Sequence, residues 1–290
     1  MSDRTQQANV YVFGHSDAEL QRLIEQSRFL GDLTEQVLRQ AGLGPGMRVL
    51  DIGCGAGDVS FLAASLVGAT GSVLGIDKSP EAVALAHKRA VQAGLSNVQF
   101  EVADLADYRL TEPVDAIVGR AILMYLPDPA GVLRRLAKQV RPGGLIVFQE
   151  MDLSTTHSLP EAPLYSACTQ WGRETVRRAG FEIDMGSKLY PTFRRAGLPG
   201  PQMLLSARVE AGPESAGYEY VAQMVRSLLP MMERFGVVSA EVVGIDTLAA
   251  RLRDEVLTME GLIQLPALIG AWARMPSPLP TSAWDGADRG

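Results

Sequence analysis

Three aspartates and a run of alternating glycines hold the most chemistry in this 290-residue chain. The segment Val49-Leu50-Asp51-Ile52-Gly53-Cys54-Gly55-Ala56-Gly57-Asp58 sets glycine at every second position between a short apolar run and a helical pattern. Glycine lets backbone touch a ligand and turn sharply into a helix N-terminus, where unpaired N–H groups point at what is bound. Asp58 stands where a dinucleotide fingerprint needs its third glycine, which weighs against a nicotinamide nucleotide. Asp51, just before the loop, would repel a pyrophosphate and suits a ligand carrying an ammonium group. Asp77 closes Val73-Leu74-Gly75-Ile76-Asp77, where a carboxylate can accept both hydroxyls of a ribose. Asp104 ends Phe100-Glu101-Val102-Ala103-Asp104 and is placed to accept an adenine amino group. Taken singly, each acid reads equally as a helix N-cap, and the glycine loop as a tight turn. Three acids at the carboxyl ends of three consecutive strands, one beside a glycine loop, point instead to a shared ligand crevice.

The elements that must position these residues alternate in type. Strands are predicted at 47–52, 72–76, 98–102, 114–119 and 145–149, with helices at 58–67 and 80–93 and another opening at Asp128-Pro129. Ser79 is the expected N-cap and Pro80 the first residue of the 80–93 helix. Such alternation implies βαβ units and a parallel, doubly wound α/β sheet of Rossmann-like type. Before it, Ser16-Asp17-Ala18-Glu19 forms a capping box, and Leu20, Leu23, Ile24, Leu30, Leu33, Val37 and Leu38 give one apolar helical face. Residues 1–40 therefore read as a helical N-terminal lid segment and 41–275 as the main domain. After the fifth strand come helical insertions near 161–180 and 214–258, strands at 202–210 and 262–273, and a flexible tail at 276–290.

The motifs VLDIGCGAGD, GIDKSPEAVALA, VADLADY and RPGGLIVF, in this order and at these spacings, resemble those of the class I S-adenosylmethionine-dependent methyltransferases of small-molecule type. The resemblance covers about residues 40–150. It implies a seven-stranded, mostly parallel sheet whose last strand is antiparallel, and S-adenosyl-L-methionine as the cofactor. It further implies that Gly53, Gly55 and Gly57 contact the cofactor, that Asp77 holds the ribose, and that Asp104 and Leu105 border the adenine with Lys78 and Ser79 at its edge. Arg120 falls where the family meets the methionine end, and a guanidinium there pairs well with a carboxylate; a surface ion pair is the other reading of Arg120. The nucleic-acid amino-methylating enzymes place an Asn/Asp-Pro-Pro-aromatic stretch after the fourth strand. This chain has Gly119-Arg120-Ala121-Ile122 instead, which disfavours a base as acceptor.

Composition agrees. The chain has 27 Lys+Arg against 33 Asp+Glu, a formal charge of −6, unsuited to a nucleic-acid backbone. Two cysteines, Cys54 and Cys168, make neither a disulfide framework nor a thiolate zinc site, and no metal is expected. Neither a signal-peptide core nor a run of membrane-spanning length occurs, so a cytoplasmic protein without membrane contact is expected. The expected reaction is methyl transfer by in-line displacement to O, N or C of a small, partly apolar molecule. The alternative is a protein that binds the cofactor without transferring methyl; a nicotinamide oxidoreductase is a third reading. Candidate bases are His157, Tyr11 and His15, with Tyr125, Glu150 and Asp152 behind them, and none is singled out by spacing; His87, beside Lys88 and Arg89, reads as solvated. Trp171, Tyr218, Tyr220, Met224, Met231, Met232 and Phe235 lie in the insertions and suit an adaptable apolar pocket. The apolar faces of 214–258 are expected to close over the crevice as a cap, or else to pair two copies as a homodimer.

Overall fold

The computed structural model describes residues 17–277, with side chains from Phe29 onward. Helix α1 (Asp17–Ala41) leads into β1 (Arg48–Ile52), α2 (Asp58–Val67), β2 (Ser72–Asp77), α3 (Pro80–Gln92), β3 (Val98–Val102) and β4 (Val114–Arg120). Then follow α4 (Pro129–Ala137), β5 (Val140–Asp152), β6 (His157–Leu159), α5 (Pro163–Arg178) and α6 (Met185–Arg195). The chain continues as β7 (Gln202–Ser206), β8 (Val209–Ala211), α7 (Gly217–Arg234), α8 (Ala240–Val243), α9 (Leu248–Thr258), β9 (Leu262–Gln264) and β10 (Ala267–Arg274). Seven strands form one sheet in the order β3-β2-β1-β4-β5-β10-β7. β10 runs antiparallel to β5 and β7, whereas the pairings among the first five strands are parallel. The order reverses between β1 and β4, and such a switch point opens a crevice at the carboxyl ends of the strands.

The central strands are apolar nearly throughout, as strands covered on both faces must be. Ile52, Ile117, Ile146 and Phe148 meet α4 and α6 on one face, where Phe148 and Phe193 pack edge to face at 6.4 Å. Val49, Val118 and Val147 meet α1, α2 and α3 on the other. Burying each large side chain contributes about 1.5–3 kcal/mol, so the two layers clamp the sheet from both sides. Helix α1 sits flush on β10 because Gly270 has no side chain; a Cβ there would lie 2.6 Å from a methyl carbon of Val37.

A third apolar cluster stands apart from the sheet. It joins α5, α7 and α9 through Tyr165, Val225, Leu228, Met232, Leu248 and Leu252. Beside it lies a small sheet in the order β6-β9-β8. Two expected single strands, 202–210 and 262–273, are each divided between these sheets. The second breaks at Leu265-Pro266, where proline offers no N–H to a ladder. The first breaks at Ala207-Arg208, where the Arg208 side chain turns back to donate to Phe29 O at 2.5 Å and to Asp32 at 2.7 Å. Helix α6 lies in a stretch given no element above; Pro191 stands in its middle, and its buried face of Met185, Leu189 and Phe193 outweighs the lost hydrogen bond. The 16–19 capping box begins outside the described residues, as does most of the expected tail.

Candidate active site

The glycine loop between β1 and α2 runs through left-handed backbone at Gly53, Gly55 and Gly57, with φ of 65°, 52° and 91°. Side chains rarely tolerate that region. The loop is tied down from three directions. Cys54 N–H donates to Ile76 O at 3.0 Å. Arg89 of α3 donates to Ala56 O at 2.6 Å and pairs with Asp58 at 2.7 Å, which occupies the Asp58 carboxylate. The Asp77 carboxylate accepts from Gly55 N–H at 3.0 Å with one oxygen and from Ser79 N–H at 2.9 Å with the other. The three glycines do different things. Gly53 and Gly55 line a cavity of about 730 Å³, and a Cβ on Gly55 would meet nothing within 4 Å. Gly57 lies outside that lining and lets the rings of Phe61 and Phe100 close in.

The other residues expected around the cofactor fall into two groups. Asp77, Lys78, Asp104, Leu105 and Arg120 line the cavity with the loop. Asp104 is exposed and accepts from Ala106 N–H at 2.8 Å. Asp51 and Ser79 do not reach the wall. Asp51 is buried beneath the loop, takes a 2.6 Å hydrogen bond from Ser60 Oγ, and burial pushes its carboxyl up to about 7. Ser79 is buried as the N-cap of α3, accepting from Ala82 N–H at 3.2 Å and donating to Glu81 at 2.9 Å. The structure thus gives both a supporting place behind the wall.

Arg120, at the end of β4, is enclosed rather than on the surface, which removes the surface ion-pair reading. Its Nη1 donates to Thr34 Oγ1 at 2.9 Å, and Thr34 donates onward to Gln149 Oε1 at 2.8 Å. Burial lowers its affinity for the proton, while the charges of Asp58 and Asp51 oppose that shift. Among the described residues no carboxylate lies within ion-pair distance of it. A buried cation that faces a cavity and has no directly paired carboxylate is suited to an anionic ligand group.

Of the candidate bases, Glu150 and Asp152 prove to be internal struts. The Glu150 carboxylate, fully buried, accepts from the N–H groups of Ile122, Leu123 and Met124 at 3.0, 2.8 and 3.4 Å. Burial pushes it up to about 7, against the pull of those hydrogen bonds. Asp152 is buried and accepts from Ser154 N–H at 3.0 Å and from the Ser187 hydroxyl. His157 is exposed, with Nδ1 at 3.4 Å from Thr155 O, and it lines a shallow neighbouring depression rather than the cavity. His87 is exposed as expected, though its ring also meets Phe100 O at 3.0 Å. Tyr11 and His15 lie outside the described residues. Tyr125 does line the cavity, edge to face with Phe181 at 5.0 Å.

The far wall comes from α1, α5 and α7. Leu30, Thr169, Arg173, Tyr220, Met224 and Leu228 face the same space as the glycine loop. Phe29 of α1 stacks on Tyr220 of α7 at 4.9 Å, joining the N-terminal helix to the insertion. The apolar faces of α7 and α9 pack on one another, leaving Val225, Met232, Leu248 and Leu252 fully buried within one chain. They are therefore taken up internally rather than free to pair two copies. Val242, expected on the same face, is exposed on α8. The α5 contribution is visible in sequence only as the spacing Tyr165, Thr169, Gly172, Val176; the part of Leu30 and Arg173 carries no sequence signal.

Among the described residues no helix is long and apolar enough to cross a membrane. Residues 43–197 match the family described as the methyltransferase domain. Aklanonic acid methyltransferase of Streptomyces sp. strain C5 is 33% identical over 182 residues, covering 59% of this chain and 80% of that protein. A ubiquinone biosynthesis O-methyltransferase of Thiobacillus denitrificans is 35% identical over 109 residues, covering 37% of this chain and 45% of that protein. In structure, a putative methyltransferase of Bacillus halodurans C-125 superposes with a TM-score of 0.55 at 14% identity, covering 84% of this chain and 99% of that one. A phosphoethanolamine N-methyltransferase of Haemonchus contortus, bound to S-adenosylhomocysteine, gives 0.53 at 16% identity over 85% of this chain and 53% of that one. At these identities the two structures speak for the fold alone.

Proposed function

The chain belongs to the class I S-adenosylmethionine-dependent methyltransferases, and from that premise we propose a site of two joined compartments, cofactor at the strand ends and a small, partly apolar acceptor beneath α5 and α7. One observation carries this reading: Gly55 and Met224 line one and the same cavity. A volume near 730 Å³ lies within the usual range for small-molecule sites.

The residues present fit the cofactor. The open space over Gly55 admits a ligand against the backbone, the Asp77 carboxylate has lone pairs left for ribose hydroxyls, and Arg120 offers a guanidinium with no directly paired carboxylate. S-adenosyl-L-methionine supplies, when bound, a methyl group on a sulfonium, an electrophile activated before the acceptor arrives. Asp77 and Arg120 would hold the two ends of that group, and Met224 and Leu228 would hold the acceptor against it. What the chain adds is alignment. Holding two reactants in near-attack geometry is worth about 7–11 kcal/mol. Glu150 fixes the 122–124 turn in the cavity wall, and the Phe29–Tyr220 stack ties α1 to α7 on the acceptor side.

No histidine lines the cavity among the described residues. The Tyr165 hydroxyl is spent on Gln264 O at 2.5 Å, and burial raises its pKa. Of the candidate bases Tyr125 alone lines the cavity among the described residues, so an acceptor that must lose a proton would meet its hydroxyl there. The names of the relatives include aklanonic acid, ubiquinone biosynthesis and arsenite, and that spread supports an acceptor chosen by the helical insertions. The test is transfer of labelled methyl to a library of small aromatic and aliphatic acceptors, beside tRNA, DNA and mixed protein. Label in small molecules is the expected outcome; label in polymer alone would overturn the reading.

A further inference from the structure

Besides Lys78 and Arg120, the cavity wall holds a cation that the cofactor does not need. Arg173 of α5 is half-buried and lines the acceptor side of the cavity. Among the described residues it meets neither a carboxylate nor a hydrogen-bond acceptor, although its helix neighbours Arg177 and Arg178 both bond Glu174 at 2.7 Å. Its charge is felt by the Tyr165 hydroxyl. With Thr156, Tyr165 and Thr169, Arg173 lines both the main cavity and the shallow depression of about 250 Å³ beside it, a boundary that no glycine-loop residue reaches; the exposed Glu161 lines the depression but not the cavity, and forms no ion pair with Arg173. Arg135, the other unpaired arginine of the wall, lies on α4, where the Asp128 carboxylate lines the same wall. Arg120 is already oriented by Thr34.

Resting on the acceptor reading above, we infer that Arg173 is a specificity-determining residue that receives a carboxylate on the acceptor. The acceptor class is then a small apolar carboxylic acid, its body against Val176, Met224 and Leu228 and its charged group at the wall shared with the depression. A guanidinium facing a mostly apolar space has donors unmet by protein, and its planar fork matches a carboxylate with two parallel hydrogen bonds. The same feature discriminates against neutral acceptors of equal shape, which leave those donors unpaired.

The test uses the full chain saturated with S-adenosylhomocysteine, titrated calorimetrically with 2-naphthoate and with its neutral counterpart 2-naphthamide. The expected result is that wild type binds naphthoate at least about tenfold more tightly than naphthamide. Arg173→Met then abolishes that preference while naphthamide and S-adenosylhomocysteine affinities stay unchanged, and Arg173→Lys restores part of it. Equal binding of the two probes, binding of neither, persistence of the preference in Arg173→Met, or its loss in Arg135→Met instead would each overturn the inference. Met224→Trp separates this failure from failure of the acceptor reading. If the enlarged side chain excludes both probes while S-adenosylhomocysteine still binds, the compartment stands and only the carboxylate assignment is at stake. If both probes bind Met224→Trp as they bind wild type, the compartment itself is misplaced.

Discussion

At the scale of single residues, Asp77 has the heaviest duty, because its carboxylate both shapes the glycine loop through Gly55 N–H and stands open to the cavity. Asp77→Ala should weaken S-adenosylhomocysteine binding by about 1–3 kcal/mol, the cost of leaving polar partners unmet. Calorimetry showing wild-type affinity would remove Asp77 from the site. Gly55→Val tests the cradle from the other side. Its φ of 52° makes a branched side chain strained by about 1–2 kcal/mol, yet open space lies around the Cβ position. The variant should fold, with a somewhat lower Tm, and lose cofactor binding because the side chain fills the ligand's place. A folded Gly55→Val protein with full affinity would show that the loop does not cradle the cofactor.

At the scale of elements, spacing alone cannot tell a cavity wall from a core. Met224, Leu228 and Met232 follow one another at four-residue steps on α7, so in sequence they form a single stripe. The structure divides that stripe. Met224 and Leu228 face the cavity, whereas Met232 is fully buried in the cluster shared with α9. Two different outcomes follow from the two methionines. Met224→Ala should impair acceptor turnover with cofactor affinity and stability nearly unchanged. Met232→Ala should cost about 2–5 kcal/mol of stability, measured by urea denaturation, with little direct effect on the acceptor. Reversal of these two phenotypes would mean that α7 is rotated from the position described. The same limit explains what could be read beforehand. The strands β1 to β5, the glycine loop and the acids at the strand ends are local patterns with a local cause, so they were legible. The split of 202–210 and 262–273 between two sheets depends on partners far along the chain, and α6 hides behind Pro191. Arg173 looks like any arginine on an amphipathic helix until the cavity is closed around it.

At the scale of the whole molecule, two carboxyl groups lie buried beneath the strand ends, Asp51 under the glycine loop and Glu150 under the 122–124 turn. Both are pushed up to about 7 by burial, from ordinary values near 4. A carboxyl whose pKa is higher folded than unfolded holds its proton longer in the native state. Its contribution to stability is therefore complete below about pH 4 and is lost as pH rises through 7. With at most two such protons involved, and about 1.4 kcal/mol per pH unit for each, stability should decline measurably between pH 5 and 8. Asp51→Asn keeps an acceptor for Ser60, and Glu150→Gln keeps one for the amides of the turn. The double variant should accordingly fold, and its denaturation midpoint should be flatter with pH over that interval than that of wild type. Since Glu150 grips the turn that walls the cavity and Asp51 underlies the loop, the same protons link cofactor affinity to pH. An unchanged pH slope in the double variant would mean that neither buried carboxyl takes up its proton in this range, and that the loop and the turn rest on fully ionised struts.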